Sequence, residues 1–239
     1  MKSKYLFLCI LSLLASACAN PTTTTIDKQM KESLKKSWIN LIGQFTTDEQ
    51  LMTDSWRQIE QHYTAEHRAY HNLTHINNML QEATKFEGEI SDKEVVLLAI
   101  WLHDIIYDPL SKNNEKDSAE LAKNILSQTN LSLERIQKCY DLILLTIKHQ
   151  LAVTAPLDDK LLIDFDLEIL SRNWLQYKTY SEQIRQEYWM YPTPLFKSGR
   201  KEAMGKFLER PNIYQTPFYR EEKEAKARAN IKREMEELL

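Results

Sequence analysis

Apolar residues recur along most of this chain at intervals of three and four. Leu34, Trp38, Leu41, Ile42 and Phe45 fall on one face of a helix that the spacing places at about residues 27–45. Leu73, Ile76, Met79, Leu80 and Ala83 make a second stripe of the same period. Val95 to Leu102 differs: it is eight apolar residues in a row, with no polar face. Taken alone, that run could be a buried strand. Ser91-Asp92-Lys93-Glu94 just before it has the S-x-x-E pattern of a capping box, and apolar residues continue through Ile105-Ile106 to Pro109. The run therefore predicts a helix buried on all sides. Further helices are expected around residues 113–128, 132–150, 157–171 and 174–190. Arg220 to Leu239 is dense in Glu, Lys and Arg at helical pairing distances and reads as a solvated helix. Alternation of period two is scarce and no internal repeat is visible. The pattern predicts an all-α single domain, a bundle of about eight to ten helices over residues 27–239.

The first residues follow another rule. Lys2 and Lys4 precede a run of 13 residues, Tyr5 to Ala17, that is apolar except for Ser12 and Ser16. Such a run is too short to span a bilayer comfortably and suits the apolar region of a secretory signal. Leu14-Ala15-Ser16-Ala17-Cys18 resembles a bacterial lipoprotein signal, with Ala15 where that pattern usually has leucine. The resemblance implies removal of residues 1–17 and lipidation of Cys18. It also implies a polar tether over 18–26, with Asn20 to Thr25 reading N-P-T-T-T-T. The product would be an exported lipoprotein, anchored to the membrane by its lipid and facing the periplasm or the cell exterior. A plain secretory signal, cut after Ala17 or Ala19, and an uncleaved anchor are the alternatives.

Composition narrows the chemistry. Of 239 residues, 43% are hydrophobic and 27% charged, the balance of a chain that buries a core. There are four glycines, Gly43, Gly88, Gly199 and Gly205, and no two fit G-x-G-x-x-G or G-x-x-x-x-G-K-[ST]. Dinucleotide and P-loop phosphate cradles are excluded. Lys and Arg total 31 against 34 Asp and Glu, so no basic excess marks a nucleic-acid polymer as partner. Cys9 would leave with the signal and Cys18 would be acylated, so Cys139 has no partner for a disulfide.

The six histidines are His62, His67, His71, His75, His103 and His149. His71 and His75 are four apart and share a helix face, one way to offer two imidazoles to one metal. His103-Asp104 sits at the end of the most apolar segment, where an unpaired carboxylate would be costly. Either the two pair with each other, or both ligate a divalent cation. Asp164 and Asp166 lie in the apolar stretch Leu161 to Leu167 and point about 200° apart on a helix, so at least one faces inward.

Together these residues give the order H…HD…D, which resembles the HD superfamily of metal-dependent phosphohydrolases. The similarity extends through Glu66-His67-Arg68-Ala69-Tyr70-His71-Asn72-Leu73-Thr74-His75-Ile76 and Ala99-Ile100-Trp101-Leu102-His103-Asp104-Ile105-Ile106-Tyr107-Asp108-Pro109. It continues in Asn113-Asn114-Glu115, Asp164 to Leu170, Ile184 to Tyr188 and Arg210 to Tyr214, and so covers about residues 35–235. This longer pattern looks like a bacterial branch of predicted metal-dependent HD phosphohydrolases.

The resemblance implies His75, with His71 as competitor, then His103 and Asp104, then Asp166 or Asp164, as ligands of one metal. It implies a water-activating acid at Asp108, although related hydrolases of guanosine polyphosphates have a second acid where Tyr107 stands. Glu115 is a further candidate acid, and His149 a further ligand if two metals bind. A mixed N/O set suits Mn, Fe, Co, Ni or Zn better than Mg or Ca. Arg68, Lys112, Arg185 and Arg200 are candidates to hold phosphate oxygens. Tyr177, Tyr180, Tyr188 and Tyr191 could line a pocket of base size. The expected activity is hydrolysis of a small phosphorylated, nucleotide-like substrate by metal-activated water. The alternatives are an exported metal- or nucleotide-binding lipoprotein without turnover and an HD-fold oxygenase with two irons.

Overall fold

In the computed structural model, residues 21–238 are described, with side chains from Lys28 onward. The signal segment 1–17 and Cys18 lie outside the described residues. Ten α-helices follow in order: α1 (Pro21–Ile42), α2 (Glu49–Tyr63), α3 (Leu73–Lys85), α4 (Lys93–Leu102), α5 (Asn114–Leu126), α6 (Leu133–Leu145), α7 (Leu157–Asp166), α8 (Trp174–Glu187), α9 (Thr193–Glu209) and α10 (Pro217–Glu237). A 3-10 turn, Leu167–Ser171, joins α7 to α8. There is no strand among the described residues, so the all-α expectation holds. None of their helices is long and apolar enough to cross a membrane.

The all-apolar helix α4 is the axis of the fold. Val95, Val96, Leu98, Ala99, Ile100, Trp101 and Leu102 are fully buried, and α4 packs on α1, α3, α5, α6 and α7. The Trp101 ring meets Trp38 of α1 and Trp56 of α2 edge-on, with centroids 5.7 and 6.3 Å away. Edge-to-face contact suits the aromatic quadrupole. The N-cap is Asp92, whose side chain accepts the Val95 N–H, one residue later than the S-x-x-E pattern suggests. Arg135 of α6 clamps Asp92 and Glu94, and Asp158 accepts the N–H groups of Ser91 and Asp92. α6 also carries Cys139, buried and unpaired, whose thiol burial pushes up to about 12.

The structure departs from the sequence reading at several places. α1 begins at Pro21, so residues 21–26 are helical rather than a tether. α4 ends at Leu102 and does not run on to Ile105-Ile106. The freed carbonyls of Asp104 and Ile105 accept the Arg68 guanidinium at 2.6 and 2.7 Å, which satisfies the chain where it turns. The expected helix over 157–171 breaks after Asp166 into the 3-10 turn. α10 is solvated on one face only: the other buries Tyr219, Ala227, Asn230, Ile231 and Glu234 and lies along that turn. Asn230 donates to the Leu170 and Arg172 carbonyls (2.9 and 2.8 Å), closing the turn's open end. Two helices, α2 and α9, were not anticipated; α9 buries only Arg200 and Met204 and so has almost no apolar stripe to read.

Candidate metal centre

Three helix ends converge at one point. His75 comes from the first turn of α3, which Asn72 caps by accepting the Thr74 N–H. His103 and Asp104 stand where α4 ends, and Asp166 is the last residue of α7. His75 Nε2 lies 3.2 Å from His103 Nε2, 3.3 Å from Asp166 Oδ1 and 3.8 Å from Asp104 Oδ2. His103 Nε2 lies 3.1 Å from Asp104 Oδ2 and 3.8 Å from Asp166 Oδ1. One donor atom from each of His75, His103 and Asp166 falls within 4.8 Å of the others, so this buried group could hold a metal ion.

The donor chemistry fits that role. His103 Nδ1–H donates to the Ile100 carbonyl at 3.0 Å, which leaves the Nε2 lone pair aimed into the cluster when the ring is neutral. Two imidazole nitrogens 3.2 Å apart share at most one proton, and two carboxylates face them. Positive charge is required there, from protons or from a cation. Burial opposes charge on His103, but Asp104 and Asp166 outweigh it and lift its pKa to about 9. Burial lowers the pKa of His75. Against burial, His103 and His71 hold Asp104 below the usual carboxylate range, and His149 and His75 hold Asp166 well below it.

Among the alternatives left open by sequence, the geometry brings in His75 and Asp166. Asp164 is buried on the other side of α7. Its carboxylate accepts the Gln215 N–H at 2.6 Å, the Thr216 N–H at 2.7 Å and the Thr216 hydroxyl at 2.6 Å. It thus pins the segment that starts α10. His71 points its Nδ1–H at Glu187 Oε2, 2.6 Å away, while Glu187 Oε1 accepts the Tyr70 and His71 N–H groups. Tyr107 donates to the same carboxylate at 2.9 Å and stacks on the His71 ring. Burial works against a charged His71, and the Glu187 hydrogen bond overcomes it, so the pKa is raised. Glu187 is fully buried, yet sequence reasoning saw it only as part of a motif string. A single acid near the end of an ordinary amphipathic helix carries no signal of its own.

His149 donates from Nε2 to Asp166 Oδ2 at 2.6 Å. Its backbone is left-handed, with φ 48°, an uncommon state outside glycine. Arg210 holds that conformation by donating to the His149 and Lys148 carbonyls at 2.7 and 2.9 Å.

The cluster opens on a cavity of about 480 Å³, whose wall includes His71, Asp104, Lys112, Glu115, His149 and Asp166. Asp108 is not part of that wall. Its Oδ1 accepts the Leu110 N–H at 2.8 Å, and Asn114 pairs with its backbone, so Asp108 builds a turn instead of activating water. The position before it, Tyr107, is the one that lines the cavity. Three of the four basic candidates are already committed. Arg68 holds the end of α4, and Arg185 donates to the Tyr188 and Tyr191 carbonyls at 2.6 and 3.1 Å. Arg200 reaches the cavity wall, but Glu234 (2.9 Å) and Tyr180 (3.3 Å) hold its guanidinium. Lys112 has no such partner among the described residues and is exposed on the wall. Of the four tyrosines, Tyr180 and Tyr188 line the cavity, while Tyr177 donates to buried Glu234.

Comparisons of the chain with protein-family models, curated proteins and solved structures return no match. The resemblance to the HD superfamily rests on the motif residues themselves.

Proposed function

We propose that this chain is a metal-dependent phosphohydrolase acting on a phosphate monoester. The observation that carries the reading is the convergence of His75, His103, Asp104 and Asp166 beside a cavity of ligand size that Asp104 and Asp166 line, with His103 Nε2 turned inward by the Ile100 carbonyl. These four residues would hold the cation. Two nitrogens and two carboxylates favour Mn, Fe, Co, Ni or Zn over Mg. When bound, such a cation supplies Lewis acidity, making water a better nucleophile and polarising a phosphoryl oxygen.

The chain's own residues supply the rest. Lys112 places an ammonium on the wall where it can take a phosphate oxygen. With Arg68, Arg185 and Arg200 committed to the fold, that is charge for one phosphate group rather than a polyphosphate. Glu115 offers a carboxylate oxygen to receive a proton from water. His149 fixes Asp166 through Nε2, and Tyr180 and Tyr188 exclude bulk water.

The test is metal analysis of purified protein, followed by phosphomonoester hydrolysis with added Mn²⁺. Glu115→Gln should keep metal and lose about 10²–10⁴ in rate. Asp108→Asn should retain at least half the wild-type rate, since only a surface turn is touched. Stoichiometric metal with no turnover of any phosphoester would favour the binding-protein alternative.

The exported, lipid-anchored location is proposed on sequence alone, from Lys2, Lys4, the apolar run and Cys18. Cys18→Ser should move the protein from the detergent phase to the aqueous phase in a partition assay. Unchanged partition would mean that Cys18 is not the anchor.

A further inference from the structure

A second cavity, of about 450 Å³, adjoins the first. The two share Ile184, Tyr188 and Arg200 as a common wall. The second is lined mainly by carbon: Tyr191 just before α9, Leu195 and Phe196 in its first turn, and Gly199 and Ala203 one and two turns on, with Ser198 the one hydroxyl of α9 among them. Its charged neighbours are Arg200, whose guanidinium Glu234 holds, and Glu202, which pairs with Lys206. Of this lining, Leu195 is 57% exposed. Large apolar groups left in water beside an apolar cavity mark a place where an apolar group enters.

We infer that the second cavity is a subsite for the organic part of the substrate, which makes that substrate an amphiphilic phosphomonoester with an alkyl or aryl group. This rests on the phosphohydrolase reading only for where the phosphate goes. A phosphate near Lys112 and the metal-ligand cluster is anchored in the first cavity, and the shared wall is the route by which the rest of the molecule reaches the second. An apolar chain there covers Leu195 and Phe196. A sugar or a second phosphate would meet mostly carbon, with Arg200 already held by Glu234 and Glu202 by Lys206.

Gly199 gives a selective test. A Cβ added there would meet no heavy atom within 4 Å, so Gly199→Leu projects into the cavity without displacing the helix. Binding of octyl phosphate and of ethyl phosphate to the full chain would be measured by calorimetry with Mn²⁺ present and, separately, without it. Each buried methylene is worth roughly fourfold in affinity, so octyl phosphate should bind at least about 30-fold tighter than ethyl phosphate. In Gly199→Leu that ratio should fall at least about tenfold, with the helical signal unchanged. Equal affinities for the two esters, or a ratio that Gly199→Leu leaves as it was, would overturn the subsite. Hydrolysis assayed on the same two esters separates the two ideas. Tight, Gly199-sensitive octyl binding without turnover keeps the subsite and sinks the hydrolase. Turnover indifferent to chain length does the reverse.

Discussion

Asp166→Asn should remove metal binding from the purified protein and reduce phosphomonoester hydrolysis to background. The carboxylate occupies two positions at once: Oδ1 lies 3.3 Å from His75 Nε2, and Oδ2 accepts from His149 at 2.6 Å. Asparagine keeps the shape but loses the charge, and one of its two terminal atoms becomes a donor. If the amide nitrogen faces the cluster, it cannot ligate. If it faces His149, it meets another N–H. Outer partners of a metal ligand typically cost about 10–100-fold in affinity when removed, and a ligand itself costs more. His149→Phe should therefore fall within that range, while Asp166→Asn exceeds it. Titration with Mn²⁺ followed by metal analysis checks both. Near-normal metal content in Asp166→Asn would remove this residue from the ligand set. Asp164→Asn serves as the contrast: it should unsettle the start of α10, which denaturation detects, without the same selective loss of metal.

The second large effect concerns stability. Arg200→Met should destabilise the fold by about 3–5 kcal/mol, the usual cost of leaving one member of a buried ion pair alone. Glu234 is 4% exposed and receives Arg200 at 2.9 Å, together with the Ser181 and Tyr177 hydroxyls. Burial raises its pKa, yet the Arg200 charge wins and holds the carboxyl below its ordinary range. A depressed carboxylate contributes stability that is present above the unfolded pKa and lost as pH falls through the folded one. In wild type that loss comes below about pH 4. Without Arg200 the sign reverses, because burial alone raises the folded pKa. The defect of Arg200→Met should be largest at neutral pH and shrink as Glu234 protonates. The double variant Arg200→Met/Glu234→Leu should recover most of the lost stability. Urea denaturation at pH 4.5 and pH 7.5 decides it; a defect that does not vary with pH would show that Glu234 keeps its charge unaided.

Why the centre was legible in the sequence, and much of its support was not, follows from what each residue does. His103-Asp104 stood out because charged groups at the end of an all-apolar run need a reason. Asp164 and Asp166 stood out for the same cause, but sequence could not tell them apart. Asp164 is fully buried and Asp166 partly so, and their opposite directions on α7 send one to Thr216 and the other to the histidines. Asp108 is a candidate through the resemblance alone; with α4 ended at Leu102, its carboxylate accepts the Leu110 N–H in a turn instead. Arg68, Arg185 and Arg200 read as phosphate ligands because a guanidinium that binds backbone carbonyls or a distant carboxylate has the same local sequence as one that binds a ligand. α10 looked solvated because buried Glu234 and Asn230 are indistinguishable by type from its exposed neighbours.

The hydrogen bonds around α10 also bear on the speed of folding. Helical proteins fold fast when their contacts are close in sequence. Here the Tyr219 hydroxyl donates to Glu82 across 137 residues, the His71 N–H reaches Glu187 across 116, and Thr216 reaches Asp164 across 52. Each tie closes a long loop, and a carboxylate waits without its native partner until the loop closes. Helix formation and completion of the centre are thus separate events in time. On dilution from urea, the helical signal should return well before the ability to capture metal, and the interval between them measures how long α10 takes to dock.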